Sequence, residues 1–109
     1  MPLTFDLVEA KYMDDCEGQP AVNFRAHVEG TAPRELVSCR IQHAALDMLL
    51  TQAAGIGVGD DQSALEAAAE QFRPIILAIA TAKFDCGDWL LDGSRKVVVV
   101  RLDDVSTAR

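Results

Sequence analysis

The sequence predicts an α+β fold on an antiparallel or mixed sheet, and three observations carry that expectation. Two runs, AVNFRAHVEG and RELVSCRIQ, alternate apolar and polar residues on either side of a turn holding Gly30 and Pro33. Two stretches in the middle of the chain repeat apolar residues at helical spacing. A last pair of β-prone runs, in WLLDGSRKVVVVRLDD, surrounds Asp92-Gly93. The expected order is β-β-β-α-α-β-β in a single domain, 1–109, with two helices packed on one face of the sheet.

The first strand is expected in LTFDLVEAKYM, through Leu3, Phe5 and Leu7, with a turn in DDCEGQP. Folding the central hairpin about GTAP sets Glu29 opposite Arg34, Arg25 opposite Ser38 and Asn23 opposite Arg40 on one face. The other face then pairs Val28 with Glu35, Ala26 with Val37, Phe24 with Cys39 and Val22 with Ile41. A slip of one residue would mix the two faces, so the pattern itself specifies the register. Leu46, Leu49, Leu50 and Ala53 predict a helix over 43–54, stopped by Gly55. For the next helix Ser63 is the expected N-cap and Glu66 completes a capping box, with Asp60 and Asp61 favourable ahead of the helix dipole. Its stripe of Leu65, Ala68, Phe72, Ile76 and Ile79 extends toward Lys83, and Pro74 predicts a kink or break near 71–73.

Composition narrows the function classes. The 109 residues are half apolar and a quarter charged, which suits a folded domain with its own core. A net charge of −7 disfavours binding to a phosphate backbone. Cys16, Cys39 and Cys86 are too scattered for a metal knuckle and odd in number, as expected of reduced thiols. The N-terminal segment lacks the pattern of a signal peptide, and the longest uncharged apolar run, PIILAIATA at 74–82, is too short to span a bilayer. The expected protein is cytoplasmic, with no membrane contact.

The glycines of AAGIGVGDD, residues 53–61, invite a phosphate-binding reading, but they follow a helix rather than a strand, and no Walker-type lysine follows. Asp60 and Asp61 stand where phosphate would sit; two like charges 4 Å apart cost about 4 kcal/mol at an effective dielectric near 20. A helix–helix connector is the expectation. His43 and Asp47 share a helix face, yet two ligands make no zinc site. The Asp14, Asp15, Cys16, Glu17 cluster reads as a solvated turn, and Cys86, between Asp85 and Asp88, lacks the cationic neighbour a reactive thiol needs. No catalytic, metal or cofactor-binding residue is expected, and no cofactor.

One surface stands out. Asn23, Arg25, His27, Leu36 and Arg40 share the outer hairpin face, which is more basic than the chain as a whole and fits a partner-binding face. Hydrophobicity is also in surplus: Val97–Val100 is apolar on both strand faces, and 74–82 around most of its helix. Either these elements are central or a second subunit covers them, so a homodimer is expected.

The segments SCRIQHAAL, FRPIILAIATAKF and VVVVRLDDV together resemble the short bacterial proteins catalogued as domain of unknown function 1488. The positions that match are Cys39, Arg40, Ile41, Leu46, Phe72, Arg73, Ile76, Ala80 and Asp103. This chain differs in carrying Gln42 at the helix-capping position and Pro74 within the helix. The resemblance implies a compact α+β fold and assigns no activity to any residue. The leading expectation is therefore a non-catalytic binding or regulatory domain that self-associates, with a possible protein partner. The alternatives are an accessory enzyme subunit with chemistry at a dimer interface and a nucleic-acid-associated regulator using Arg25 and Arg40.

Overall fold

A computed structural model describes residues 3–5, 11–14, 20–30, 35–55, 57 and 61–107. At its centre, β3 (Pro20–Val28) and β4 (Leu36–Gln42) pair antiparallel in the register that the alternation predicts. Val22 meets Ile41, Phe24 meets Cys39 and Ala26 meets Val37, while Asn23 meets Arg40 and Arg25 meets Ser38 on the opposite face. The Val28 N–H donates to the Glu35 carbonyl at 2.9 Å and continues the ladder toward the turn. Residues 31–34, including the Arg34 expected opposite Glu29, lie outside the described residues.

On the free side of β3, two short strands replace the single one expected. β1 (Leu3–Phe5) pairs with the Val28 end and β2 (Lys11–Asp14) with the Pro20 end, both antiparallel. Between the pairs Phe5↔Ala26 and Lys11↔Asn23 one side advances six residues and the other three, so no continuous ladder can join them. The expected inward Leu7 and most of the DDCEGQP turn lie outside the described residues.

The closing strands complete a mixed sheet. β5 (Leu90–Asp92) and β6 (Arg95–Val100) form the terminal hairpin, and β6 also pairs parallel to β4, giving the order β1-β3-β4-β6-β5 with β2 also on β3. The turn centres on Gly93 and Ser94, one residue later than expected, with Gly93 at a φ of 65° that a side chain would resist. Burial on both sides of an interior strand explains the four-valine run: Val97–Val100 are each at most 1% exposed within one chain. The burial of this run therefore needs no second subunit.

Three helices and a short fourth replace the two expected. α1 (His43–Ala54) has the expected bounds and ends on Gly55, whose left-handed φ of 75° lets its N–H reach the Thr51 carbonyl at 2.9 Å. The long second helix divides at Phe72 into α2 (Gln62–Gln71) and α3 (Arg73–Asp85). Pro74 thus sits in the first turn of α3, where its missing donor costs no helical hydrogen bond. Ser63 is not the cap of α2. The Asp61 carboxylate takes that place, accepting from the Ala64 N–H at 3.3 Å, an anionic cap at the positive end of the helix dipole. Glu66 instead accepts from the Tyr12 N–H at 2.8 Å and ties α2 to β2. α4 (Leu102–Thr107) was not anticipated; the Asp104 carboxylate accepts from the Arg101 N–H at 2.8 Å, the return half of a capping box.

All four helices contribute to one core. Leu46, Leu65, Phe72, Ile76 and Val105 pack with Phe24, Cys39, Ile41, Val98 and Val100 from a single face of the sheet. Val97 and Val99 are buried but lie outside that cluster. The sheet therefore has a helix-covered face and a face the core does not reach.

Candidate functional site: the open face of the sheet

Strand pairing arranges the second face in three rows. Arg25, Ser38, Val97 and Leu90 lie side by side across β3, β4, β6 and β5. Thr4, His27 and Leu36 form the next row, continued on β6 and β5 by the Arg95–Asp92 pair. Lys11, Asn23, Arg40 and Val99 form the third. The five residues singled out from the sequence, Asn23, Arg25, His27, Leu36 and Arg40, are thus contiguous on one surface.

Their exposures differ. Arg25 is exposed, Leu36 is 42% exposed, and Asn23 and His27 are half-buried. Arg40 is only 9% exposed, which corrects its place among the exposed residues. Its Nη2 lies 3.4 Å from Asp92 Oδ2. Because β6 runs between β4 and β5, the pair spans β6 on the side where Val97 and Val99 point. A long aliphatic stem with its charge at the far rim is how arginine lies along apolar surface, and the Arg40–Asp92 pair crosses the side on which buried Val97 and Val99 point. Asn23 Oδ1, opposite Arg40, is buried with no hydrogen-bond partner among the described residues.

Sequence reasoning missed Lys11, Leu90, Asp92 and Arg95. Lys11 joins the face through the β2–β3 pairing, which the irregular first segment concealed. Arg95 and Leu90 are legible as hairpin residues, but only the parallel β4–β6 pairing brings them beside Leu36 and Ser38, and no local pattern encodes that long-range contact. With them the electrostatics sharpen. The face carries Lys11, Arg25, Arg40 and Arg95, four of the chain's ten lysines and arginines, against a single strand carboxylate, Asp92. Glu29, just beyond β3, accepts a hydrogen bond from the Thr4 hydroxyl at the corner. Among the described strand residues, this reverses the sign of the chain's net charge of −7. No aromatic side chain stands on the face among the described strand residues.

The remaining candidates resolve into packing. In the glycine stretch, where 56 and 58–60 lie outside the described residues, a Cβ at Gly57 would stand 2.6 Å from Asp47 Oδ1. The Asp47 carboxylate beside this stretch opposes phosphate. His43 opens α1 half-buried, and no group of three or more potential metal ligands occurs among the described residues. Cys86 is exposed at the end of α3, Cys39 is fully buried, and burial pushes the Cys39 thiol up to about 12 against the opposing pull of Lys83, which leaves it inert. Cys16, Asp15 and Glu17 lie outside the described residues.

A second polar cluster ties the chain's end to the core. Lys83 Nζ donates to Asp88 Oδ2 at 2.7 Å and to Asp104 Oδ2 at 2.9 Å. Burial works against the Lys83 charge, but these two carboxylates outweigh it and raise its pKa; the same hydrogen bond lowers that of Asp88. Nearby, the Lys96 ammonium lies 4.7 Å from the Trp89 ring and 5.5 Å from that of Phe84, and it pairs with Glu35 at 2.8 Å. Both clusters join elements to one another: Lys83 binds α3 to α4, and Lys96 binds β6 to the end of α3.

No family model, curated protein or solved structure matches the chain. No described helix is long and apolar enough to cross a membrane.

Proposed function

We propose that the protein is a non-catalytic docking domain whose open sheet face binds an acidic segment of a partner protein. The carrying observation is the placement of Lys11, Arg25, Arg40 and Arg95 around exposed Leu36 and Leu90 on a face that the helical core leaves open. Arginines beside partly exposed apolar side chains are the composition of a protein interface, whereas single-stranded nucleic acid calls for aromatic platforms. Kinship with domain of unknown function 1488 stays part of the proposal and adds no residue role to it.

Affinity purification of the endogenous protein tests this reading when wild type is compared with the Arg25→Glu/Arg95→Glu double variant. Recovery of an acidic protein by wild type and its loss from the variant supports docking at this face. Unchanged recovery by the variant moves the interface elsewhere, and release of bound nucleic acid by nuclease favours the regulator reading.

Self-association is a second reading, supported by α3 rather than β6. Ile75 is 47% exposed, Ala78 and Ala82 are exposed on the same side of the helix, and 74–82 carries no charge. Between two acidic copies, an uncharged ridge is where approach meets least repulsion. Light scattering on wild type and Ile75→Glu separates the outcomes: a dimer that the variant dissociates supports the ridge, and a wild-type monomer at working concentration ends this reading.

A further inference from the structure

We infer that the free edge of β5 pairs with the β5 of a second copy of this chain, antiparallel and across a two-fold axis at Leu91, joining two sheets into one. β5 closes one side of the sheet, and β6 is its only strand neighbour among the described residues. The turn between them has two residues, Gly93 and Ser94, so Asp92 and Arg95 form the hydrogen-bonded pair that closes the hairpin. Hydrogen-bonded and non-bonded pairs alternate along an antiparallel ladder, and Leu91, opposite Lys96, therefore turns its N–H and C=O away from β6 toward the open edge. Its side chain is the most exposed large apolar one among the described residues, at 63%. β5 also lacks the usual guards of an edge: it has no lysine, proline or bulge, and Leu90 is itself exposed. One residue thus offers two backbone groups without a strand partner among the described residues, and an uncovered side chain beside them.

Charge and register select the occupant. Outward groups recur at every second residue, so a two-fold axis must pass through a residue for two such edges to bond, and β5 offers three centres. Centred on Leu90, the pairing would set Asp92 opposite the second copy's Asp88; centred on Asp92, it would set two Asp92 carboxylates opposite each other. Centred on Leu91, it sets each Asp92 opposite a Leu90 and each Asp88 opposite a Ser94, with no acid facing an acid. That register closes two hydrogen bonds between the Leu91 backbones and brings their side chains together on the side of Val98 and Val100. β5 is thus complementary to itself, as a two-fold interface requires. An acidic segment of the kind proposed for the open face does not suit this edge, where Asp88 and Asp92 would oppose it. The edge is distinct from the open face and from the α3 ridge, and pairing here requires neither.

Sedimentation velocity across a dilution series, from roughly 1 mM down to about 1 µM, tests the pairing on wild type, Leu91→Pro, Leu91→Lys and Ile75→Glu. Wild type is expected to dimerise as concentration rises. Leu91→Pro removes an N–H that makes no ladder bond within the chain, a change an edge strand tolerates, and should weaken association roughly tenfold or more with little change in the melting curve. Leu91→Lys is the second probe should proline disturb the hairpin: a charge on an edge strand blocks pairing and leaves the β5–β6 bonds in place. Ile75→Glu, on the α3 ridge, should dimerise as wild type does. In a mixture of isotope-labelled and unlabelled protein, contacts between the Leu91 methyls of the two copies are expected, and contacts between the two Leu90 side chains instead overturn the register. A wild type that stays monomeric throughout, a dimer that both Leu91 variants keep, or one that Ile75→Glu dissolves overturns the pairing. Capture of a foreign protein by wild type and its loss with Leu91→Lys, in place of a dimer, gives the edge to that partner and overturns it equally.

Discussion

The two faces of the sheet are made by the same strands and solve opposite problems. Toward the helices, Phe24, Cys39, Ile41, Val98 and Val100 are buried by packing against Leu46, Leu65, Phe72 and Ile76. Away from them, Val97 and Val99 are just as buried, but on the side that the Arg40–Asp92 ion pair spans. One face gains stability from close-packed carbon. The other sets a nearly buried arginine beside its central valines and keeps leucines and arginines at its rim. A residue's partner in the ladder is the same kind of neighbour on both sides; what differs is whether a third layer arrives. Among the described residues no helix packs over this face, and its exposed rim of Arg25, Leu36, Leu90 and Arg95 is what a partner could meet.

Substitution of neighbours on β3 breaks this comparison most sharply. Phe24→Ala removes a ring that is 1% exposed and lies 4.9 Å from the Arg73 guanidinium, and should cost about 4 kcal/mol in chemical denaturation. Arg25→Ala, one residue on and facing the other way, should change stability by less than about 0.5 kcal/mol while weakening partner binding. Equal losses at the two positions would mean that the open face is structural.

The Lys83 cluster gives a smaller effect with a distinct pH signature. Lys83→Met leaves Asp104 and Asp88 without their shared cation and should cost about 2 kcal/mol, below the roughly 3–5 kcal/mol of a fully buried pair because Asp88 is more than half exposed. The depressed Asp88 contributes stability that is present above the ordinary carboxylate range and lost as the pH falls through its lowered value. The elevated Lys83 contributes stability that is complete below the ordinary lysine range and lost as the pH rises through its raised value. The gap between wild type and Lys83→Met in urea titrations should therefore be flat near neutrality and shrink at both extremes. A gap that peaks in acid would reverse that sign.

What was legible in the sequence was local. Two-residue alternation specified the β3–β4 register, helical spacing specified α1 to the residue, and Pro74 marked the break before α3. The rest depends on contacts distant in sequence. Val97–Val100 gave equal support to an interior strand and a covered edge, and only the parallel partner β4 decides between them. Ser63 and Glu66 had the spacing of a capping box, but Asp61 was a stronger competitor for the same N–H groups. At the site, the hairpin's five residues were readable from parity, whereas Arg95, Leu90 and the Arg40–Asp92 span required knowing that β6 lies between β4 and β5. α4 is a six-residue element whose capping aspartate also belongs to the Lys83 cluster, so its signal is tertiary.

Backbone amide shifts recorded while the acidic peptide is titrated into labelled protein test the docking face most directly. Shifts should concentrate at Arg25, His27, Leu36, Leu90 and Arg95 and diminish as salt is raised, with the amides of α1 and α2 unmoved. Shifts centred on the helices, or a response that salt leaves unchanged, would contradict docking there.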